Sequence, residues 1–320
     1  MNRARTKIGS GEWRTVMRVD PFYATNLVSS LDQAQASQQQ LTSELSSGVR
    51  VSSLSDDPVA AGENTVLLDQ IQQDDSFTTS SSTVTGQLQV ADSALGSVVT
   101  QLTSAISLAT SANNGTMNSS NVKSVSSQIS GILDEVESLA NTNYQGQYIF
   151  AGGKTSTAPF STSTTTSPAV TTYDGDQDVN YLVTPSGQKI QLNVPGSQIF
   201  LASGSSSVFG ALNSLIADYS SGTVDTAQAV SDTEALSSAL NNVSQQRVTI
   251  DNSITQVTAA SDAVSNVETQ LTTAQTNLMQ ADIPTVSTQL SLSETQQTAL
   301  EDVIAQLNSS SNDLFSKLPA

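Results

Sequence analysis

Between residues 27 and 45 the apolar side chains fall at Leu27, Leu31, Ala34, Leu41 and Leu45, with the polar Gln38 standing in the one gap of the series. Steps of four and three place such residues on a single stripe of a helix. Gly48 then supplies a helix stop, and the short β-branched stretch 49–53 predicts an extended connection. Ser55, Asp56 and Asp57 are N-cap candidates, and Pro58 stands where the first residue of a new helix belongs. The same spacing returns at Ala91, Leu95, Val98, Leu102, Ala105 and Ala109, stops at Asn113-Asn114-Gly115, and resumes at Val122, Val125, Ile129, Ile132, Val136 and Leu139. A helical hairpin is expected there, closed by Asn141 and Asn143.

From Tyr144 to about Phe209 the period changes. Gly, Pro, Ser and Thr punctuate three short β-prone runs, predicted as strands at 147–151, 179–184 and 189–194. The Ser/Thr tract 161–167 reads as a loop, and Pro185-Ser186-Gly187 as the turn of a hairpin. Helical spacing returns over 208–219. It is strongest at Val257, Ala260, Val264, Val267, Leu271, Ala274 and Leu278, and continues after Pro284 through Val286, Leu290, Leu300, Ile304, Leu307 and Leu314. Helices at both ends with a β-rich centre predict a mainly α fold: an elongated antiparallel helical bundle or coiled coil formed by both termini, with a small β-rich insert. The expected domains are a terminal helical one (17–55 with 280–320), a helical rod (56–150 with 208–279) and the insert (151–207). Residues 1–16 differ in charge and pattern from the remainder of the chain and read as an upstream mis-start or a tag, with the chain proper beginning at Met17.

Composition narrows the function. Aromatic residues make up 4% of the 320, which argues for narrow seams between helices rather than one thick core. A net charge of -18, with five of the eleven cations in the first eighteen residues, leaves no footprint for nucleic acid or an anionic membrane. No run is long and apolar enough for membrane insertion, and the basic start lacks the apolar core of a secretory signal. The absence of Cys and His removes thiolate chemistry, the commonest general base and the commonest zinc ligands. No catalytic residue, metal site or cofactor is expected, and the chain does not read as an enzyme.

Three motifs tempt a chemical reading and fail on spacing. Gly152-Gly153-Lys154-Thr155 lacks the first glycine of a phosphate loop, which would fall at Tyr148. Ser186 and Lys189 match Ser-x-x-Lys, but in a hairpin and without companion motifs. Asp174, Asp176 and Asp178 open like a calcium loop, yet its sixth and twelfth positions are Val179 and Pro185.

What remains is a set of one-sided apolar stripes. Leu27, Leu31, Leu41, Leu45, Val286, Leu290, Leu300, Ile304, Leu307 and Leu314 would expose an apolar face on an isolated chain, so they are the expected assembly interface. Leu95, Val98, Leu102, Ile129, Ile132, Val136, Val257, Val264, Leu271 and Leu278 are the expected packing residues of the rod.

Several ordered strings also carry a resemblance. Ser46-Ser47-Gly48 after Leu45, then Ser55-Asp56-Asp57-Pro58-Val59-Ala60-Ala61, is similar to the N-terminal signature of the flagellin superfamily. Gly146-Gln147-Tyr148-Ile149-Phe150-Ala151-Gly152 resembles its hook-associated protein 3 branch, and 281–318 resembles the shared C-terminal helix. The resemblance runs from Met17 to Leu318, departing where Val49 replaces the usual basic residue. It implies a structural subunit exported through the flagellar type III apparatus, aided by an export chaperone. Such a subunit forms a ring with copies of itself at the hook-filament junction, outside the cell, between hook-associated protein 1 and flagellin. Flagellin itself, or a secreted helical adhesin, are the alternatives.

Overall fold

The computed structural model describes residues 21–163, 170–201 and 207–316, so the suspected prefix 1–16 and Met17 lie outside the described residues. The helices are α1 Pro21–Ser47, α2 Pro58–Asn113, α3 Ser119–Ala140, α4 Gly196–Phe200, α5 Val208–Ser220, α6 Thr226–Met279 and α7 Ile283–Ser316. The strands form three separate antiparallel pairs, β1 (Asn143–Tyr144) with β2 (Gln147–Tyr148), β3 (Phe160–Ser163) with β4 (Val170–Tyr173), and β5 (Tyr181–Val183) with β6 (Lys189–Gln191). The fold is mainly α with short strand pairs between the helices. It divides into two compact units, Asp69–Thr272 and the flanking segments up to Leu68 and from Thr273.

The central unit holds the core. Leu95, Val98 and Leu102 of α2, Ile129, Ile132 and Val136 of α3, and Val257 and Val264 of α6 are all buried, as the four-three spacing requires of a seam between helices. Leu271 and Leu278 are only half-buried, and Val267 is exposed: the apolar series of α6 drifts off one face, because a straight helix does not hold a 3.5-residue period. Capping residues fix the helix starts. Asn118 accepts from the Asn121 amide (2.8 Å), Ser207 from Gly210 (3.1 Å) and Asp225 from Ala227 (3.1 Å). Arg247 of α6 grips Asp92 of α2 with Nε and Nη2 (2.5 and 3.1 Å), its guanidinium lying against α2 beside Gly96. At the end of the helical hairpin, buried Tyr219 donates to Asn113 Oδ1 (2.8 Å).

The strand pairs are shorter than expected and one was not anticipated. β2 ends at Tyr148, because Ile149, Phe150 and Ala151 are all buried in succession, which an alternating strand cannot achieve. The β1–β2 turn places Gln145 and Gly146 at φ 53° and 82°, the two left-handed positions of a tight hairpin. β5 and β6 join through the predicted turn, where Gly187 (φ 86°) donates to the Thr184 carbonyl (2.8 Å), but they cover only three residues each. The tract read as a loop begins within β3. Its hydroxyls pair across the ladder, Ser161 with Thr172 (3.0 Å) and Thr162 with Thr171 (2.7 Å), and 164–167 lie outside the described residues. Phe160 then meets Phe200, Phe209 and Tyr173 at centroid separations of 5.1 to 5.2 Å, which forms one aromatic cluster over the helices.

Candidate functional site

The terminal unit brings the two ends of the sequence together. Gly48 is at φ 70° and its amide closes α1 on the Glu44 carbonyl (2.8 Å), an arrangement that a side chain would strain. The chain then runs antiparallel to 279–281: Arg50 N donates to Met279 O (2.7 Å), and Ala281 N to Gly48 O (2.9 Å). Val51 and Ala281 are buried at this crossing.

Beyond it, Asp56 and Asp57 do different work. Asp56 collects the Ser52 and Ser53 amides (3.0 and 2.8 Å) and both their hydroxyls (2.9 Å each), which holds its carboxyl below the usual aspartate range. Asp57 caps α2 through the Ala60 amide (3.0 Å) and pairs with Arg50 Nη1 (3.0 Å), and these two contacts lower its pKa in the same order. Pro58 follows as the first helical residue, where a missing N–H costs nothing. Arg50 also reaches Leu278 O with Nη2 (3.2 Å), so one guanidinium ties the turn to the end of α6. Ser46, Ser47 and Ser55 are exposed, and Ser47 donates back to Ser43 O (2.8 Å).

From this crossing α1 and α7 run antiparallel, with Ser293 Oγ donating to the Ala34 carbonyl (3.4 Å). Leu27 and Val286 are buried. Leu31, Leu41, Leu45, Leu290, Leu300, Ile304 and Leu307 are only half-buried, and the side chain of Leu314 lies outside the described residues. Two helices cannot enclose each other's stripes, so a groove of about 710 Å³ stays open between them, with Ala34, Leu41 and Leu300 on its walls. Leu292 (60% exposed) and Val303 (39%) also line it. Sequence reasoning missed both because they fall outside the four-three series. It also missed the pairing of 48–50 with 279–281, for which a short extended run gave no register.

The other signature residues belong to the central unit. Gly146 forms the hairpin turn, Tyr148 is half-buried in β2, and Phe150 is buried edge-on to Phe200 at 5.7 Å. Gly152 adopts φ 69° against Asp176, leaving no room for a Cβ. Asp176 accepts from the Gly153 and Asp178 amides (2.5 and 3.1 Å), and its lowered pKa follows from those bonds. The carboxylate thus staples the 151–154 turn. Among the described residues no group of three or more acidic side chains is gathered to hold a metal ion, and no helix is long and apolar enough to cross a membrane.

Residues 22–155 match the family model for the bacterial flagellin N-terminal helical region. A flagellar hook-associated protein of Vibrio parahaemolyticus has the same fold over 70% of this chain and all of its own (TM-score 0.64, 20% identity), so the fold is flagellin-like. Within that class the resemblance is to flagellar hook-associated protein 3. The protein of that name from Salmonella typhimurium is 34% identical over 144 residues, which is 45% of this chain and 45% of the relative. The chain therefore matches less than half the length of that curated relative. The flagellar junction protein FlgL of Legionella pneumophila shares the fold over 68% of this chain and all of its own (TM-score 0.55, 15% identity).

Proposed function

We propose that the chain is a structural subunit of the bacterial flagellum that joins hook to filament, its activity residing in packing surfaces rather than in an active site. The observation that carries this reading is the open stripe between α1 and α7. Seven of its predicted leucine and isoleucine positions stay half-exposed on a single chain, and covering what is left of each is worth about 1 kcal/mol, roughly half the gain of burying a fully exposed side chain. Neighbouring subunits would collect that stabilisation. The partners are copies of this chain in a ring, hook-associated protein 1 on one side and flagellin on the other. An export chaperone would cover the stripes before passage through the type III apparatus. The terminal segments 17–55 and 280–320 are the assembly domain.

Deleting the gene in its host should leave cells with hooks and no filaments, with unpolymerised flagellin in the medium. Electron microscopy and immunoblotting of the culture fluid read both. Full-length filaments on the deletion strain would overturn the proposal.

A further inference from the structure

Along the buried face of α2 the apolar series is broken by acid and hydroxyls. Asp74 is 2% exposed and its Oδ2 has no hydrogen-bond partner; Thr78 Oγ1 and Ser81 Oγ, one and two turns further on, have none either. This is unusual for the helix. Ser76, Ser80, Thr83, Ser97 and Thr100 all return their hydroxyls to the carbonyl four residues back.

Asp74 lines an open groove of about 500 Å³ between α2, the β5–β6 turn and α6. Ala260, Ala263 and Val264 give one wall, Pro185 another, and the amides of Gln70 and Gln256 stand at the sides. An aliphatic stem would lie along the alanines while its charged head met the carboxylate. One carboxylate with two hydroxyls on a single helix face is a poor divalent-ion cage, which needs six or more oxygens around one point.

We infer that the Asp74 groove receives a lysine or arginine side chain from a second copy of this chain. The inference rests on the ring of identical subunits proposed above, in which one surface of each copy meets a different surface of the next. Charge complementarity supports it. Each copy carries -18, so adjacent copies repel unless specific cation-acid contacts offset the repulsion. Both ion pairs among the described residues use arginine, at Arg50 and Arg247, which leaves Lys123, Lys154 and Lys189 exposed and without a carboxylate ion pair, Lys154 reaching only the Asp174 carbonyl (3.4 Å). Each subunit thus offers an unfilled buried acid and unpaired cations.

The test places a photo-crosslinking residue, p-benzoylphenylalanine, at Val267 on the exposed rim, in a strain whose only copy of the gene carries the change. Irradiated flagella should give a crosslinked dimer of this chain, with the joined peptide containing a lysine or arginine. Adding Asp74→Asn should cut the dimer yield about tenfold, the equivalent of one lost charge-assisted contact. Asp74→Leu should do the same, while either variant melts at or above the parent temperature because an unpartnered buried charge is gone. A merely structural carboxylate would instead lower the melting temperature and leave the crosslink intact. Crosslinks only within one chain, or only to flagellin or hook-associated protein 1, would overturn the inference but not the junction role. Absence of the chain from purified flagella would overturn both.

Discussion

At the scale of single residues, four carboxylates of this acidic chain are held in two opposite states. Asp56, Asp57 and Asp176 gather backbone amides, which keeps their pKa low, so their contribution is present at neutral pH and is lost as pH falls through those lowered values. Asp218, on α5, is the reverse. Burial, then a hydrogen bond with Asp232 and the charges of Asp232 and Asp225, push it up to about 6. Its folded value lies above its ordinary 3.8, so its stabilising contribution is full below about pH 3.8 and disappears as pH rises through about 6. Asp218→Asn should therefore raise stability at pH 7.5 by about 1 kcal/mol, the carboxyl being partly exposed and screened, and should change little at pH 4. Urea unfolding at the two pH values measures this. An equal effect at both would mean the carboxyl is not held protonated by its neighbours.

Among elements, the division is between seams that close and seams that do not. Leu95, Val98, Leu102, Ile129 and Val136 are fully enclosed, whereas α1 and α7 pack on one another and still leave most of their stripe half-covered. A two-helix hairpin gains too little burial to offset its ordering entropy comfortably. Brief treatment of the purified chain with a non-specific protease should accordingly cut within 21–47 and 285–316 first and leave a fragment of about 48–284 that contains the whole central unit. Uniform resistance from α1 to α7 would contradict this, and mass spectrometry of the fragments decides.

The long helices were legible in the sequence because a stripe at four-three spacing needs only local periodicity, and Pro58, Asn113 and the Gly48 stop mark the ends within a residue; the single turn and a half of α4, too short to show a period, fell inside the segment read as β-rich. The strand pairs were less so. β3 and β4 are held by Ser and Thr cross-strand contacts, which leave no alternation of apolar and polar residues to detect, and Ile149–Ala151 carry β-prone residues into a buried turn. The contact of Gly48 with Ala281 joins residues from opposite ends of the chain, and nothing local announces such a register. The orphaned Asp74 was invisible for a related reason: one acid in a helical stripe looks like a solvated position until its burial is known.

For the whole molecule, we propose that the apolar stripes of the terminal helices, rather than any chemistry, carry the activity. Leu300 and Leu307 stand two turns apart on α7, both half-buried, with Leu300 on the wall of the open groove. Replacing both with Asp places charges where a neighbouring subunit must make apolar contact, at a cost of several kcal/mol in the assembled state. The central unit does not depend on that face and should fold and be exported unchanged. The decisive measurement is filament attachment in a strain whose only copy of the gene carries Leu300→Asp and Leu307→Asp. The account predicts hooks without filaments, with the variant chain and free flagellin both found in the culture medium, whereas normal filaments on those cells would contradict it.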